Sequence, residues 1–335
     1  MIQEAIYRLI EKENLSPSLT EAVMDEIMSG EATNAQISSF ITAMRMKGES
    51  IEEITACAVS MRKHGTKLKS DRDVLEIVGT GGDEAYTFNI STISSFVISA
   101  AKVPVAKHGN RSVSSKCGSA DVLEALGVNI DIPPEKSEEI LKEIGLCFMF
   151  APRYHSSMKY AAPVRKELGV RTIFNILGPL ANPAGARLQL LGVYDENLVE
   201  PLARVLANLG VKRAMVVHGH DGLDEVTLTS SSTICEVNNG KLNSFFLEPG
   251  QLGLECCKPG DLTGGDAKEN AMIARKILSG EKGPKRDIIL LNSAICLYMA
   301  YNHITLRECV KMAADMIDSK RAMEQLDRFV QMTNE

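Results

Sequence analysis

The pattern of apolar and polar positions along the chain changes near residue 74. Beyond it, short apolar runs alternate with segments in which apolar residues recur every three or four positions. This alternation of predicted strands and helices favours a mainly parallel β-sheet flanked by helices. The candidate strands span 74–78, 103–107, 146–150, 188–194, 214–218 and 233–237, and the candidate helices span 119–126, 135–144, 196–208 and 267–279. A long helical pattern over 285–332 completes this predicted α/β fold.

Residues 1–65 have a helical pattern and predict four short helices. Gly30, Gly48 and Gly65 fall near the expected helix ends. A helical unit this small has little core of its own, so it must pack on the rest of the chain or on another subunit. With a polar linker at 66–73, we expect a small helical domain over 1–68 and an α/β domain over 69–335. Three capping-box signatures mark helix starts: Ser18-x-x-Glu21, Thr33-x-x-Gln36 and Ser50-x-x-Glu53.

Composition limits the class of protein. The formal net charge of −6 over 335 residues argues against a general binder of nucleic acid or membranes. Eight cysteines occur without any C-x-x-C pair, which predicts buried free thiols in a reducing compartment. The N-terminal residues lack a basic leader pattern, and no apolar run reaches eighteen residues. We therefore expect a soluble cytoplasmic protein.

A glycine-rich turn, Gly79-Thr80-Gly81-Gly82-Asp83, directly follows the first apolar run. Glycines let the backbone take positive φ and approach a ligand closely, and the N–H groups of such a turn suit a phosphate or diphosphate. The turn does not match the dinucleotide pattern G-x-G-x-x-G, because Glu84 stands at the third glycine position. An ordinary strand-to-helix turn remains the alternative on this segment alone.

A second anion site is predicted at Asn89-Ile90-Ser91-Thr92. Ser91 and Thr92 are suitable N-cap residues for an apolar helix over 93–101, whose first N–H groups are unpaired. The next strand delivers Lys107 and Arg111 to the same end of the sheet, where ligands of open α/β sheets bind. A simple helix cap and a solvated lysine are the alternatives for these positions.

An acidic pair, Asp224-Glu225, follows the candidate strand 214–218 and a loop containing His218 and His220. Neighbouring carboxylates suit Mg²⁺, which binds a few carboxylates together with waters and substrate phosphates. A solvated acidic turn is the alternative. No third ligand accompanies the two histidines at a suitable spacing, so we do not predict a transition-metal site there.

The order of these motifs resembles the anthranilate phosphoribosyltransferases of tryptophan biosynthesis. The resemblance rests on Gly-Thr-Gly-Gly-Asp (79–83), Asn-x-Ser-Thr (89–92), Lys-His-Gly-Asn-Arg (107–111), Ser-Ser-x-x-Gly-Ser-Ala-Asp (114–121), the segment 158–183 and His-Gly-His-Asp-Gly-Leu-Asp-Glu (218–225). It runs from end to end of the chain. It implies transfer of a 5-phosphoribosyl group from phosphoribosyl pyrophosphate (PRPP) to anthranilate, with Mg²⁺ as cofactor. It also implies a homodimer whose helical domain makes the contact and includes part of 155–185.

The resemblance also implies roles for individual residues. No residue stands out as a general base, and we assign none as an acid or a base. Ser91, Asp224 and Glu225 are implied to hold Mg²⁺, and Gly79, Asn110 and Arg165 to bind anthranilate. A guanidinium can bind the carboxylate of anthranilate through two parallel hydrogen bonds, although Arg165 alone equally predicts a surface ion pair, for example with Glu167. The implied PRPP-binding residues are Gly79, Gly82, Asp83, Thr87, Asn89, Ser91, Thr92, Lys107, His108, Gly109, Asn110, Arg111, Ser115 and Ser119.

Two other functions are considered. A pyrimidine nucleoside phosphorylase shares the general fold, but the turn at 79–83 and the acidic pair suit magnesium diphosphate better. A nucleic-acid-binding relative without catalysis is disfavoured by the net charge and by the presence of the acidic pair and Arg165.

Overall fold

The computed structural model describes residues 1–112 and 116–335. Its helices are α1 (Ile2–Ile10), α2 (Pro17–Ser29), α3 (Asn34–Lys47), α4 (Ile51–His64), α5 (Ile90–Ala100), α6 (Ser119–Ala125), α7 (Pro134–Ile144), α8 (Ala151–Tyr154), α9 (Ala162–Leu168), α10 (Phe174–Leu180), α11 (Val199–Asn208), α12 (Ala267–Leu278), α13 (Pro284–Ala300), α14 (Leu306–Asp318) and α15 (Arg321–Asn334). Short 3₁₀ turns lie at Ser156–Lys159, Glu196–Leu198, Pro249–Leu252 and Pro259–Leu262.

One sheet organises the larger part of the molecule. Its strands are β1 (Leu75–Gly79), β2 (Val105–Gly109), β3 (Leu146–Phe150), β4 (Leu188–Gly192), β5 (Arg213–Gly219), β6 (Ser232–Asn238) and β7 (Lys241–Leu247). They are ordered β3-β2-β1-β4-β5-β6-β7, with parallel pairing from β3 to β5 and antiparallel pairing for β6 and β7. The predicted small helical domain and larger, mostly parallel α/β domain are therefore confirmed.

The strand β7 was not predicted from the sequence. It pairs with β6 in a tight hairpin in which Asn239 and Gly240 both have positive φ, at 48° and 80°. Asn-Gly is the typical pair for such a two-residue turn, so this signal was present in the sequence. The alternation of polar and apolar residues in β7 is weak because most of its side chains are exposed or half-exposed.

The four N-terminal helices form where expected, and two of the three predicted capping boxes are confirmed, at Thr33/Gln36 and Ser50/Glu53. The box at Ser18/Glu21 is wrong, because Ser16 caps α2 and Pro17 occupies its first position. Proline is favoured there since it lacks only an N–H that would be unpaired in any case.

The apolar core lies on both faces of the sheet. One cluster packs β1–β3 against α5, α13 and α15, and the second joins α1–α4 to residues 161–181, to α11 and to β4 and β5. Arg62 of α4 donates to the carbonyl oxygens of Leu180 and Leu209 across this second cluster. The N-terminal helices thus pack on the rest of the chain, as their small core requires. Within the part of the chain that the structure describes, no helix has the length and apolar character needed to cross a membrane.

Candidate active site

The site is built where β1 and β4 end side by side. Gly79 and Gly192 are register partners at these two strand ends, and the loop that carries Asp224 packs directly on both. A Cβ atom on Gly79 would lie 2.3 Å from Asp224 Oδ2, and one on Gly192 would lie 1.6 Å from the Asp224 carbonyl oxygen. Only glycine permits this approach. The chain changes direction across the sheet between β1 and β4, which is where ligands bind in folds of this type.

The glycine-rich turn and the acidic pair are in direct contact. The N–H of Gly81 donates to Asp224 Oδ2 at 2.6 Å, and Gly81 and Gly82 both have positive φ, at 70° and 79°. Arg171 stacks on the Tyr194 ring, 4.0 Å from its centroid, and donates to the Gly82 carbonyl oxygen. Arg171 was not predicted from the sequence, because no neighbouring residue in the chain indicates that it contacts this turn.

Helix α5 begins earlier than predicted. Its N-cap is Asn89 and its first residue is Ile90, so the assignment of Ser91 and Thr92 as N-caps is wrong. The chain before it is fixed by a bridge between Thr87 and Thr263, which sets the start of the helix from a distant segment. The Asn89 side chain does not cap the helix but donates to the Cys117 carbonyl oxygen at 3.0 Å.

Lys107 is a buried cation directed at the start of α5. Its ammonium group donates to the Ile77 carbonyl oxygen at 2.7 Å and to Ser91 Oγ at 3.2 Å, and its side chain is only 3% exposed. Burial lowers the pKa of Lys107, and the nearby carboxylates of Glu225 and Glu76 oppose this shift. The alternative of a solvated surface lysine is therefore excluded.

Asp224 and Glu225 form an acidic pair in which Asp224 is buried and Glu225 is half-buried. Burial raises the pKa of Asp224 to about 7, and the charge of Asp83 adds to the increase. Burial and then the charge of Asp224 raise the pKa of Glu225 well above its ordinary value, while Lys107 counteracts the shift. The alternative of a solvated acidic turn does not hold for Asp224, which is almost fully buried.

This donor set fits a magnesium ion that binds together with a diphosphate. Within the described residues, no three His, Cys, Asp or Glu side chains are grouped so as to hold a metal ion by themselves. Mg²⁺ commonly takes one or two carboxylates and completes its shell with waters and substrate phosphates. Asp224, Glu225 and the hydroxyl of Ser91 beside Lys107 supply donors of that kind. The two histidines have other partners: His218 bonds the Val193 carbonyl oxygen at 2.7 Å, and His220 bonds Thr233 Oγ1 at 2.7 Å.

The end of β2 brings a further group of the predicted residues together. Gly109 has no room for a side chain, since a Cβ would lie 2.2 Å from Ser119 Oγ, and Ser119 donates to the Asn110 carbonyl oxygen at 3.2 Å. Arg111 is exposed, and its guanidinium pairs with the carboxylates of Glu124 and Asp121 rather than with the groups around Lys107. Ser115 lies outside the described residues.

Asp121 lies in the first turn of α6 and caps the start of this helix. Its carboxylate accepts from the N–H groups of Gly118, at 2.8 Å, and Ser112, at 3.0 Å, in the first turn of α6.

Arg165 has an unpaired guanidinium. It stacks on the Phe174 ring, 5.4 Å from the centroid, and makes no hydrogen bond or ion pair with any residue in 1–112 or 116–335. The alternative of a surface ion pair with Glu167 is therefore wrong.

His108 and His155 are both buried, with ring centroids 5.0 Å apart. Burial and then the neighbouring His155 lower the pKa of His108 to about 3.

Comparisons with known proteins cover nearly the whole chain. Residues 3–65 match the helical bundle domain of a glycosyl transferase family, and residues 71–323 match its a/b domain. The anthranilate phosphoribosyltransferase of Ruminiclostridium cellulolyticum is 71% identical over 334 residues, covering 100% of this chain and 98% of that protein. The chain belongs to the anthranilate phosphoribosyltransferase family.

Solved members of the anthranilate phosphoribosyltransferase family have the same fold. The Thermus thermophilus enzyme superposes with a TM-score of 0.94 at 41% identity, covering 99% of both chains. The Saccharomyces cerevisiae enzyme, solved with PRPP and Mg, has a TM-score of 0.91 at 28% identity and covers 99% of this chain and 98% of that one.

Long-range contacts that sequence reasoning missed also hold the site. Asn270, in α12, is buried; its amide donates to Asn89 Oδ1 at 3.0 Å and accepts from the Gly265 N–H at 2.8 Å. These residues tie the start of α5 to a segment more than 170 positions away. No local pattern marks such a contact, because an isolated asparagine in a helix predicts nothing about its partner.

Proposed function

We propose that this chain transfers the 5-phosphoribosyl group of PRPP to the amino group of anthranilate, releasing diphosphate, in tryptophan biosynthesis. The observation that carries the proposal is the convergence at one sheet edge of the turn 79–83, the Lys107–Ser91 pair and the acidic pair Asp224–Glu225. The membership of the chain in the anthranilate phosphoribosyltransferase family supports the choice of substrates.

PRPP binding needs groups that accept its phosphates and groups that hold its metal ion. We assign the diphosphate to the backbone of the turn 79–83 and to Lys107, whose buried ammonium lies beside the first turn of α5. We assign Mg²⁺ to Asp224, Glu225 and Ser91; the yeast relative, which was solved with PRPP and Mg, supports the choice of metal ion. Bound Mg²⁺ supplies positive charge that offsets the charge on the departing diphosphate. The other PRPP-binding assignments made from the sequence stand as part of this proposal.

The chain's own residues lower the barrier by fixed charge and by positioning. Lys107 and the backbone N–H groups face the place where negative charge develops as the bond from C1 of the ribose to the diphosphate oxygen lengthens. Lys107 is held in place before the substrate arrives, because its ammonium group already bonds the Ile77 carbonyl oxygen and Ser91 Oγ. We assign no residue as acid or base, so the weakly basic amine of anthranilate relies on its orientation by Gly79, Asn110 and Arg165.

Arg165→Ala should raise KM for anthranilate about 10- to 100-fold, because it removes a charge-assisted bidentate pair with the substrate carboxylate. The free guanidinium of Arg165 is already stacked on Phe174 and has no protein carboxylate to lose. Initial rates at saturating PRPP measure the change. Arg187→Ala is the control, since Arg187 is exposed and only 3.8 Å from Asp73 in a surface pair. An unchanged KM in Arg165→Ala would exclude carboxylate recognition by this residue.

The reaction itself is tested by the loss of anthranilate fluorescence, with PRPP and Mg²⁺ each omitted in turn. We expect turnover only when both are present. Release of uracil from uridine with inorganic phosphate, without anthranilate turnover, would support a nucleoside phosphorylase instead. A gel shift with nucleic acid at physiological salt, again without turnover, would support the nucleic-acid-binding alternative.

We also propose a cytoplasmic homodimer whose contact lies on a helical domain of residues 1–68 together with part of 155–185, the rest of 69–335 forming the α/β domain. Large apolar side chains are exposed on α1 and at the end of α3, with Met46 81% and Tyr7 68% exposed. Exposed apolar side chains on two helices that pack together favour a protein contact. Sedimentation velocity should show a dimer, whereas a concentration-independent monomer would contradict it.

A further inference from the structure

The segment that carries the acidic pair is irregular and yet largely buried. Residues 223–229 belong to neither a helix nor a strand, and Val226, Thr227 and Leu228 are at most 1% exposed. Buried backbone N–H and C=O groups need hydrogen-bond partners, and an irregular segment cannot supply them from a regular ladder. Neighbouring backbone supplies some of them, since the Gly219 N–H donates to the Leu223 carbonyl oxygen and the Cys257 N–H to that of Leu228, and side chains supply the others.

Asn292, in the middle of α13, supplies such partners to Val226. Its Oδ1 accepts from the Val226 N–H at 3.1 Å, and its Nδ2 donates to the Val226 carbonyl oxygen at 2.9 Å. The second Nδ2 hydrogen is directed to the Ile288 carbonyl oxygen at 3.0 Å, one turn earlier in the helix. The side chain is 0% exposed, so an asparagine at this otherwise apolar position is stable only because its amide is fully paired.

The outer side of the same loop is held separately. Asp221 accepts from Thr227 Oγ1 at 2.6 Å and from the Leu223 N–H at 3.2 Å, and Ser232 Oγ accepts from the Thr227 N–H at 3.1 Å. Asp224 and Glu225 thus lie between a surface network around Asp221 and the buried amide of Asn292. The Asn292 contact falls on Val226, the residue that follows Glu225.

We propose that Asn292 is a positioning residue that sets the Asp224 and Glu225 carboxylates for the metal ion by pairing with both polar groups of the Val226 backbone. The two bonds fix the peptide units on either side of Val226, and the first of these units joins Val226 to Glu225. Asn292 itself contacts neither substrate nor metal. The inference deepens the proposed function and rests on it, since it takes the acidic pair as magnesium ligands.

The test measures binding of PRPP with Mg²⁺ by calorimetry in the absence of anthranilate, for the wild-type chain and for Asn292→Asp and Asn292→Leu. Asn292→Asp keeps the shape and loses both donors, and Asn292→Leu loses all three bonds. We expect the affinity for Mg²⁺ with PRPP to fall about 10- to 100-fold, as is typical when a group that orients metal ligands is removed. KM for anthranilate at saturating Mg²⁺ and PRPP should stay unchanged.

Gln325→Leu is the matched control. Gln325 is also a buried amide on a C-terminal helix, and its Nε2 donates to the Ile144 carbonyl oxygen at 2.7 Å, away from the acidic pair. Its loss should lower thermal stability without changing the affinity for Mg²⁺ with PRPP. Hydrogen exchange adds a readout independent of any variant: in the wild-type chain the Val226 amide should exchange slowly.

The outcomes separate the inference from the proposed function. Wild-type affinity in both Asn292 variants, equal weakening in Gln325→Leu, or fast exchange at Val226 would each overturn the role of Asn292 and leave the reaction unaffected. A wild-type chain that does not bind PRPP with Mg²⁺ at all would overturn the proposed function and the inference with it.

Discussion

Gly192→Ala should lower kcat/KM at least about 100-fold, the loss expected when a catalytic group is displaced by about 1 Å. The added Cβ would lie 1.6 Å from the Asp224 carbonyl oxygen, which is backbone and cannot rotate away. The loop with Asp224 and Glu225 must therefore move by more than an ångström, and the metal ligands move with it. Overpacking of this kind also destabilises a fold by about 1–3 kcal/mol.

Steady-state kinetics together with the melting temperature separate the two effects. Gly250→Ala is the control, because a Cβ at Gly250 meets nothing within 4 Å and its φ is not positive. Gly79→Ala should also lower kcat/KM, but by less. Its Cβ would meet the Asp224 carboxylate, which is a side chain and can shift. A Gly192→Ala protein with normal kinetics would show that the position of the acidic loop does not matter for turnover.

Asp224→Asn and Glu225→Gln should also lower the catalytic rate strongly. Each replacement keeps the shape of the side chain and removes one negative charge. We therefore expect the Mg²⁺ concentration for half-maximal rate to rise and kcat/KM to fall. The fall should be at least about 10- to 100-fold, because a loss of that size is already typical when a group that only supports the metal ligands is removed. A titration of rate against Mg²⁺ measures both. Asp71→Asn, at an exposed position of the linker, is the control.

The same pair predicts a pH dependence. In the metal-free chain the pKa of Asp224 is about 7 and that of Glu225 is well above its ordinary value, so lowering the pH below 7 adds protons that compete with Mg²⁺. The Mg²⁺ requirement should therefore rise as the pH falls from 8 to 6, and this rise should be smaller in Asp224→Asn. An unchanged Mg²⁺ response in both amide variants would contradict the metal-binding role of the pair.

Elements with a strong local pattern were predictable from the sequence. The six candidate strands and the four N-terminal helices are present, because apolar periodicity and capping residues are properties of neighbouring positions. The glycine-rich turn was also predictable, because three glycines directly after a buried strand indicate a close approach by another group. In the structure that group is Asp224.

The features that could not be predicted from the sequence are those that depend on residues far apart in the chain. The start of α5 is fixed by Thr263. The helix therefore does not begin where Ser91 and Thr92 would cap it, although both residues favour capping positions. The contact of Asn292 with Val226 spans 66 positions, and nothing near either residue indicates it. Tertiary contacts also decide the partners of the two cations: Lys107 bonds Ser91 at the start of α5, whereas Arg111 pairs with carboxylates of α6.

The central claim is that the turn 79–83, the Lys107–Ser91 pair and the acidic pair bind one metal–diphosphate unit. A crystal of the chain with PRPP and Mn²⁺ in place of Mg²⁺ tests it through the anomalous signal of manganese. The account predicts a manganese peak coordinated by Glu225 or Asp224 and by diphosphate oxygens, with Lys107 Nζ and the N–H groups of the turn bonded to the same phosphates. Diphosphate bound with its manganese elsewhere on the molecule, and no peak at the acidic pair, would contradict it.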